Sequence, residues 1–221
     1  MRILEEIPMP ARRAVARLGF TLVELLAVIL IIGILFAFLT PMVNDAIRTS
    51  RVSACGANLQ NLYSGLQMYY IKYNEMPKNG GVDFFAALIS REALENTKAN
   101  AEKLTCPGVD KSSLALGSLP WEEWWTDLAR VDGTYSAYAG RDLKNHPLRQ
   151  WPPSGNEPLI SDDNDGGMNH GTSTNVLYGD GSVRKYELVE LREAGKLTPE
   201  DEVLDVGPES VVEDLTKFTL D

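Results

Sequence analysis

The sequence predicts an α+β protein. A long N-terminal α-helix, membrane-spanning in its first half, packs through its second half on a small antiparallel β-sheet. Three observations carry this reading. An apolar run fills residues 20–39, apolar side chains continue at helical spacing to about Tyr73, and a strand–turn–strand pattern lies at residues 175–188.

The apolar run holds a single ionisable side chain, Glu24. At about 1.5 Å per residue a twenty-residue helix is about 30 Å long, the thickness of a bilayer's hydrocarbon core. A charge centred in a membrane costs at least ~2.5–3.5 kcal/mol on insertion scales. An acid in such a run therefore marks either a function or a hydrated position near the interface. A secretory signal is cut after its apolar core, at small residues. Here Arg12, Arg13 and Arg17 stand just before Gly19, and Phe36-Ala37-Phe38-Leu39-Thr40-Pro41 lacks the small-residue pair. The run reads as retained, with the arginines cytoplasmic and the C-terminal bulk outside.

Gly19-Phe20-Thr21-Leu22-Val23-Glu24, after a short basic leader, resembles the processing site of type IV prepilins and type II secretion pseudopilins. The resemblance implies a pilin-like fold, cleavage between Gly19 and Phe20 by a prepilin peptidase, and N-methylation of the new Phe20 amine. It implies an assembly role for Glu24, paired with the N-terminal ammonium of a neighbouring subunit. A buried carboxylate is tolerable when an opposite charge meets it. The implied partners are other pilin or pseudopilin subunits, the prepilin peptidase/methyltransferase, an inner-membrane assembly platform and membrane lipid. The implied location is the bacterial inner membrane, single-pass, with the C-terminal domain in the periplasm or extracellular.

Charge narrows the function classes. The net charge is −10, and removing a leader of four Arg and two Glu leaves −12. Phosphate binding needs clustered Lys and Arg, so no nucleic-acid partner is expected. The 221 residues suit one globular domain with an appendage.

Pro41 is expected to kink or locally melt the helix. Beyond it, Val43, Ile47, Ala54, Leu59, Leu62, Leu66 and Tyr69 or Tyr70 form an apolar stripe, with Asn44, Asp45, Arg48, Arg51, Asn58 and Asn61 on polar faces. Gly56 and Gly65 weaken such a helix by up to ~1 kcal/mol each, so packing must stabilise it. Asn74-Glu75-Met76-Pro77 ends it. Asp83 is placed to cap a short helix burying Phe84, Phe85, Leu88 and Ile89. Pro120 opens a second helix, with Trp121, Trp124, Trp125 and Leu128 as a core or interface stripe rather than a ligand platform. Residues 134–140 read as a strand.

Residues 175–178 and 182–188 are strand-like, joined by Gly179-Asp180-Gly181. His170, nine residues, then Asp180-Gly181 is similar to a signature of pilin-like proteins with an enlarged C-terminal domain. Cys55-Gly56-Ala57-Asn58-Leu59 and Cys106-Pro107 resemble further features of that group. His170 with Asp180 could form a general base and its orienting acid. The plainer reading is preferred: His170 bonds locally at the hairpin's entry and Asp180 shapes the turn. No Gly-x-Ser-x-Gly elbow marks a nucleophile, and an enzyme is not expected. Asp162-Asp163-Asn164-Asp165-Gly166-Gly167 resembles half of a calcium loop, with Asp163 and Asp165 as candidate Ca2+ ligands, but the distal bidentate Glu is missing. Otherwise it is a solvated acidic turn.

Cys55 and Cys106 both follow the membrane run, in a compartment that permits disulfides. They form a disulfide if the chain returns onto the long helix within the ~4.4–6.8 Å Cα separation a bridge needs. Otherwise they are two separate small buried side chains. The organisation is thus a cleaved leader (1–19), a transmembrane half-helix (20–40), an extracytoplasmic half-helix (41–76), a globular domain (77–189) and an acidic C-terminal extension (190–221). In the extension, Leu215, Phe218 and Leu220 either dock as a closing helix or stay mobile. The expected function is that of a structural subunit of a type II secretion pseudopilus or related filament. The alternative is a membrane-anchored periplasmic binding or catalytic domain that uses the leader only for sorting.

Overall fold

The computed structural model describes residues 21–114 and 123–221, so the leader, Gly19, Phe20, Pro120 and Trp121 lie outside the described residues. The chain divides into two compact units, residues 1–45 and 46–221. Helix α1 (Leu22–Tyr73) runs from one into the other and continues helically through Pro41. Its part in the first unit exposes every side chain, apolar ones included.

In the second unit the buried stripe of α1 is Cys55, Leu59, Leu62, Leu66 and Tyr69, at alternating four- and three-residue steps. Val43, Ile47 and Ala54, expected on this stripe, are exposed. Gly65 is not merely a weak point. A β-carbon there would stand 2.9 Å from Leu88 Cδ1 and 3.0 Å from Leu94 Cδ1, so glycine permits close approach to the next helix. That helix, α2 (Gly81–Ser90), buries Phe84, Phe85, Leu88 and Ile89 as their spacing requires. Asp83 is not its cap: it lies inside the first turn, where its carboxylate accepts from Asn79 Nδ2. The short α3 (Lys98–Ala101) follows, capped by Thr97. The expected tryptophan helix is instead a pair of 3-10 turns, Trp124–Thr126 and Leu128–Arg130. Trp124 and Trp125 are nonetheless core residues, as their composition implied.

The sheet has five antiparallel strands in the order β4-β3-β2-β1-β5. They are β1 (Tyr138–Arg141), β2 (Pro158–Asp162), β3 (Ser173–Tyr178), β4 (Val183–Glu187) and β5 (Phe218–Thr219). Successive side chains of a strand face opposite sides. Tyr138 and Leu177 therefore join the core with α1 and α2, while Ala139, Val176 and Tyr178 join a second core with Leu191, Leu204, Leu215 and Phe218. Both faces are covered, which explains why β1, β2 and β3 are buried at every position.

The second cover comes from helix α4 (Leu188–Glu193) and the acidic C-terminal segment, which is no appendage. The Asp214 carboxylate accepts from Tyr178 Oη at 2.6 Å and Tyr186 Oη at 3.0 Å, and Phe218 enters the sheet beside Arg141. Leu215 and Phe218 are fully buried, Phe218 in a strand rather than a closing helix. Phe218→Ala should therefore lower unfolding free energy by ~3–5 kcal/mol, read by denaturant titration of the whole chain. A docked strand requires that loss; an unchanged midpoint would mean the C-terminus behaves as a free tail.

Candidate functional site

Two sets of residues carry chemistry, one in each unit. At the start of α1, Thr21 is the cap and Glu24 the third helical residue. Glu24 Oε2 accepts from the Thr21 N–H at 2.9 Å and from its hydroxyl at 2.7 Å, while Thr21 Oγ1 accepts from the Glu24 N–H at 3.3 Å. This reciprocal pair is a capping box, and it satisfies donors that a helix end leaves orphaned. The carboxylate thus has a local partner as well as a place at the positive end of the helix dipole. Behind it the surface is apolar on every side: Leu22, Val23, Leu25, Phe36 and Phe38 are each at least 60% exposed. Among the described residues, α1 is the one helix long and apolar enough to cross a membrane.

The second set is buried. Cys55 projects from α1 and Asp162 ends β2. Cys106 lies in the extended piece after Leu104, and His170 in the loop before β3. The Cys106 segment is held because Ser136 Oγ donates to the Leu104 carbonyl and Thr105 Oγ1 accepts from the Ala137 N–H. The four side chains meet: Cys55 Sγ donates to Asp162 Oδ1 at 3.1 Å, Cys106 Sγ lies 3.2 Å from His170 Nε2, and His170 Nε2 lies 3.5 Å from Asp162 Oδ2. All four ligand-type atoms stand within 4.8 Å of one another, and the four residues are buried. Around them, Tyr138 Oη donates to Cys55 Sγ, Gly108 N–H to Cys106 Sγ and Asn175 N–H to Asp162 Oδ2.

Burial governs the protonation of this cluster. It pushes both thiols up, Cys55 strongly, so both stay neutral. Burial also opposes a charged imidazole, but the Asp162 carboxylate and the Cys55 sulfur outweigh it and raise His170 to about 9. His170 Nδ1 has no hydrogen-bond partner among the described residues.

The structure therefore redistributes the residues read from the sequence. Cys55 and Cys106 come close, but as free thiols. What joins them here is a shared contact with Asp162 and His170 rather than a sulfur–sulfur bond. His170 does not bond locally; it reaches sixty-four residues back to Cys106. Asp180 does shape the turn: its Oδ1 accepts from the Ser182 N–H at 2.9 Å, and Gly181 takes φ +78. Gly181 packs against the Tyr63 ring, whose hydroxyl donates to the Gly179 carbonyl at 2.8 Å. The two ends of the His-x9-Asp-Gly stretch thus meet α1 at different places, through Cys55 and through Tyr63. Asp180 takes no part in the buried cluster, so the His170–Asp180 pair is not assembled.

In the sequence Asp162 stands out only as part of an acidic run; its position at the end of a buried strand is what brings it into the cluster. Asp163 is buried beside it. Burial, with Asp162 and Asp165 nearby, raises its carboxyl to about 7, against the opposing hydrogen bond from the Asp165 N–H. Asp165 is exposed.

Removing His170 strands the buried Asp162 carboxylate, whereas removing Asp180 takes away an exposed one. His170→Ala should cost ~3–5 kcal/mol of stability, and Asp180→Ala far less, in denaturant titrations of the same chain. Equal losses would contradict the division of the stretch into a buried and a surface end.

Residues 16–40 match the family described as the prokaryotic N-terminal methylation motif. No curated protein and no solved structure matches the chain. The matched stretch contains Gly19-Phe20, the Thr21–Glu24 box and the apolar run, and the structure places that run from Leu22 on a long helix whose second half packs on a five-stranded antiparallel sheet. The chain carries the N-terminal motif of type IV pilin-like prepilins, and its long apolar helix packed on a small antiparallel sheet is a pilin-like α+β arrangement.

Proposed function

We propose that this chain is a structural subunit of a type II secretion pseudopilus or a related type IV filament, matured by cleavage between Gly19 and Phe20 and methylation of the Phe20 amine. The observation that carries the reading is the methylation motif at residues 16–40, with one carboxylate, Glu24, inside the otherwise apolar run at residues 20–39. Before assembly the apolar half of α1 sits in the inner membrane, with the domain on the periplasmic or extracellular side. The prepilin peptidase/methyltransferase and an assembly platform are its partners there. In the filament, the apolar side chains of this half-helix pack against other subunits instead of lipid.

Glu24 has two uses in this reading. Within the chain it closes the capping box on Thr21. Between chains it meets the Phe20 ammonium of a neighbour, in a medium of low dielectric where an unpaired charge is costly. These uses separate chemically, because glutamine also completes a capping box but carries no charge. Glu24→Ala and Glu24→Gln should both insert normally, and both should be incorporated poorly when filaments are pulled down and their subunits quantified. Normal incorporation of both variants would remove the pairing role; rescue by Gln alone would assign Glu24 to capping.

A further inference from the structure

We propose that Cys55, Cys106, Asp162 and His170 form a zinc site that fastens helix α1 to the sheet domain. Four chain segments, separated by 51, 56 and 8 residues, deliver two sulfurs, an imidazole nitrogen and a carboxylate oxygen to one point. This donor set matches the tetrahedral thiolate, imidazole and carboxylate chemistry that zinc prefers, and four protein ligands make a closed, structural centre. With Zn–S of about 2.3 Å and Zn–N or Zn–O of about 2.0–2.1 Å, neighbouring ligand atoms of a tetrahedron stand about 3.3–3.8 Å apart. Two edges of such a tetrahedron, Cys55 Sγ to Asp162 Oδ1 at 3.1 Å and Cys106 Sγ to His170 Nε2 at 3.2 Å, lie just inside that length, and all four ligand atoms stand within 4.8 Å of one another.

The surroundings point the same way. Each of three ligands already receives an outer donor: the Tyr138 hydroxyl on Cys55, the Gly108 N–H on Cys106, and the Asn175 N–H on Asp162. Donors of this kind hold ligands in place and temper thiolate charge. Asp162 Oδ2 takes the Asn175 bond, which leaves Oδ1 beside Cys55 Sγ as the oxygen for the metal. Hydrogen bonds alone account less well for the cluster. Beyond the Asn175 N–H on Oδ2, the buried carboxylate has a thiol, which is a weak donor, on Oδ1 and an imidazole 3.5 Å away.

Binding is balanced without redox chemistry. Zn2+ takes two sulfurs, Nε2 and one carboxylate oxygen. The two S–H bonds and the Nε2–H bond of the protonated imidazole break, three protons leave to solvent, and the centre, with His170 now neutral, carries a net charge of −1. The site lies wholly in the second unit, where Cys55 heads the buried stripe of α1. The metal would therefore clamp the long helix to β2 and to the loop before β3. This proposal is independent of which filament the chain enters.

The test uses the full chain, purified in detergent without chelator. Elemental analysis should find about one zinc per chain, and metal-stripped protein given cobalt(II) alone should develop thiolate-to-cobalt absorption. Cys106→Ser and Asp162→Asn should weaken metal retention at least tenfold. Thiol labelling after denaturation, with chelator and without reductant, should recover both thiols. Because the wild-type measurements need no variant, misfolding of either substitution leaves the proposal exposed to refutation. Two free thiols with neither zinc nor a cobalt–thiolate band would overturn it in favour of a hydrogen-bonded cluster. No free thiols and no metal would overturn it in favour of a Cys55–Cys106 disulfide. Zinc that survives replacement of both cysteines by serine in a folded chain would place the metal elsewhere and overturn it as well.

Discussion

The whole domain depends on one stripe of α1. Cys55, Leu59, Leu62, Leu66 and Tyr69 occupy one face over four helical turns, and each is at most 6% exposed. Burying each aliphatic side chain of that stripe contributes about 1.5–3 kcal/mol before entropy is counted. Without the stripe, a helix carrying Gly56 and Gly65 beyond a proline has little of its own to hold it. With it, Gly65 turns from a weakness into the point where α2 comes closest. The same stripe sets the position of Cys55, and so the place where the buried polar cluster assembles.

The sheet solves a different constraint. Its three central strands are buried on both faces, so two covers are needed, and the chain supplies them from opposite ends. Helices α1 and α2 cover one face; the segment after β4 covers the other and ends as β5. Its edges are protected in two ways: β5 has only two residues, and β4 carries exposed Arg184 and Lys185. Short or charged edges discourage pairing with other chains' strands.

Local signals were legible in the sequence, and convergent ones were not. The apolar run, the helical stripe and the Gly179-Asp180-Gly181 hairpin each announce themselves within a few residues. Strand β2 does not: Leu159 and Ile160 are adjacent and join the same core beside a register shift between Pro158 and Ile160, so the alternation that marks a half-buried strand is absent. The C-terminal strand was obscured by its acidic context, although Leu215 and Phe218 were recognised as apolar anchors. The tryptophan stripe named the right core residues but the wrong element, since burial rather than helical periodicity placed Trp124 and Trp125. Cys55, Cys106 and His170 stood out singly. Their meeting, and Asp162 with them, depends on tertiary packing between segments far apart in sequence.

Amide hydrogen exchange on the whole chain in detergent, followed across a denaturant series, tests most directly whether this stripe ties α1 to the domain. If it does, amides of residues 59–69 exchange only by the same global opening as those of β3 at Val176 and Leu177, with the same dependence on denaturant. Earlier, independent release of residues 59–69 while β3 stays protected would contradict the account, because the helix would then be resting on the domain rather than holding it together.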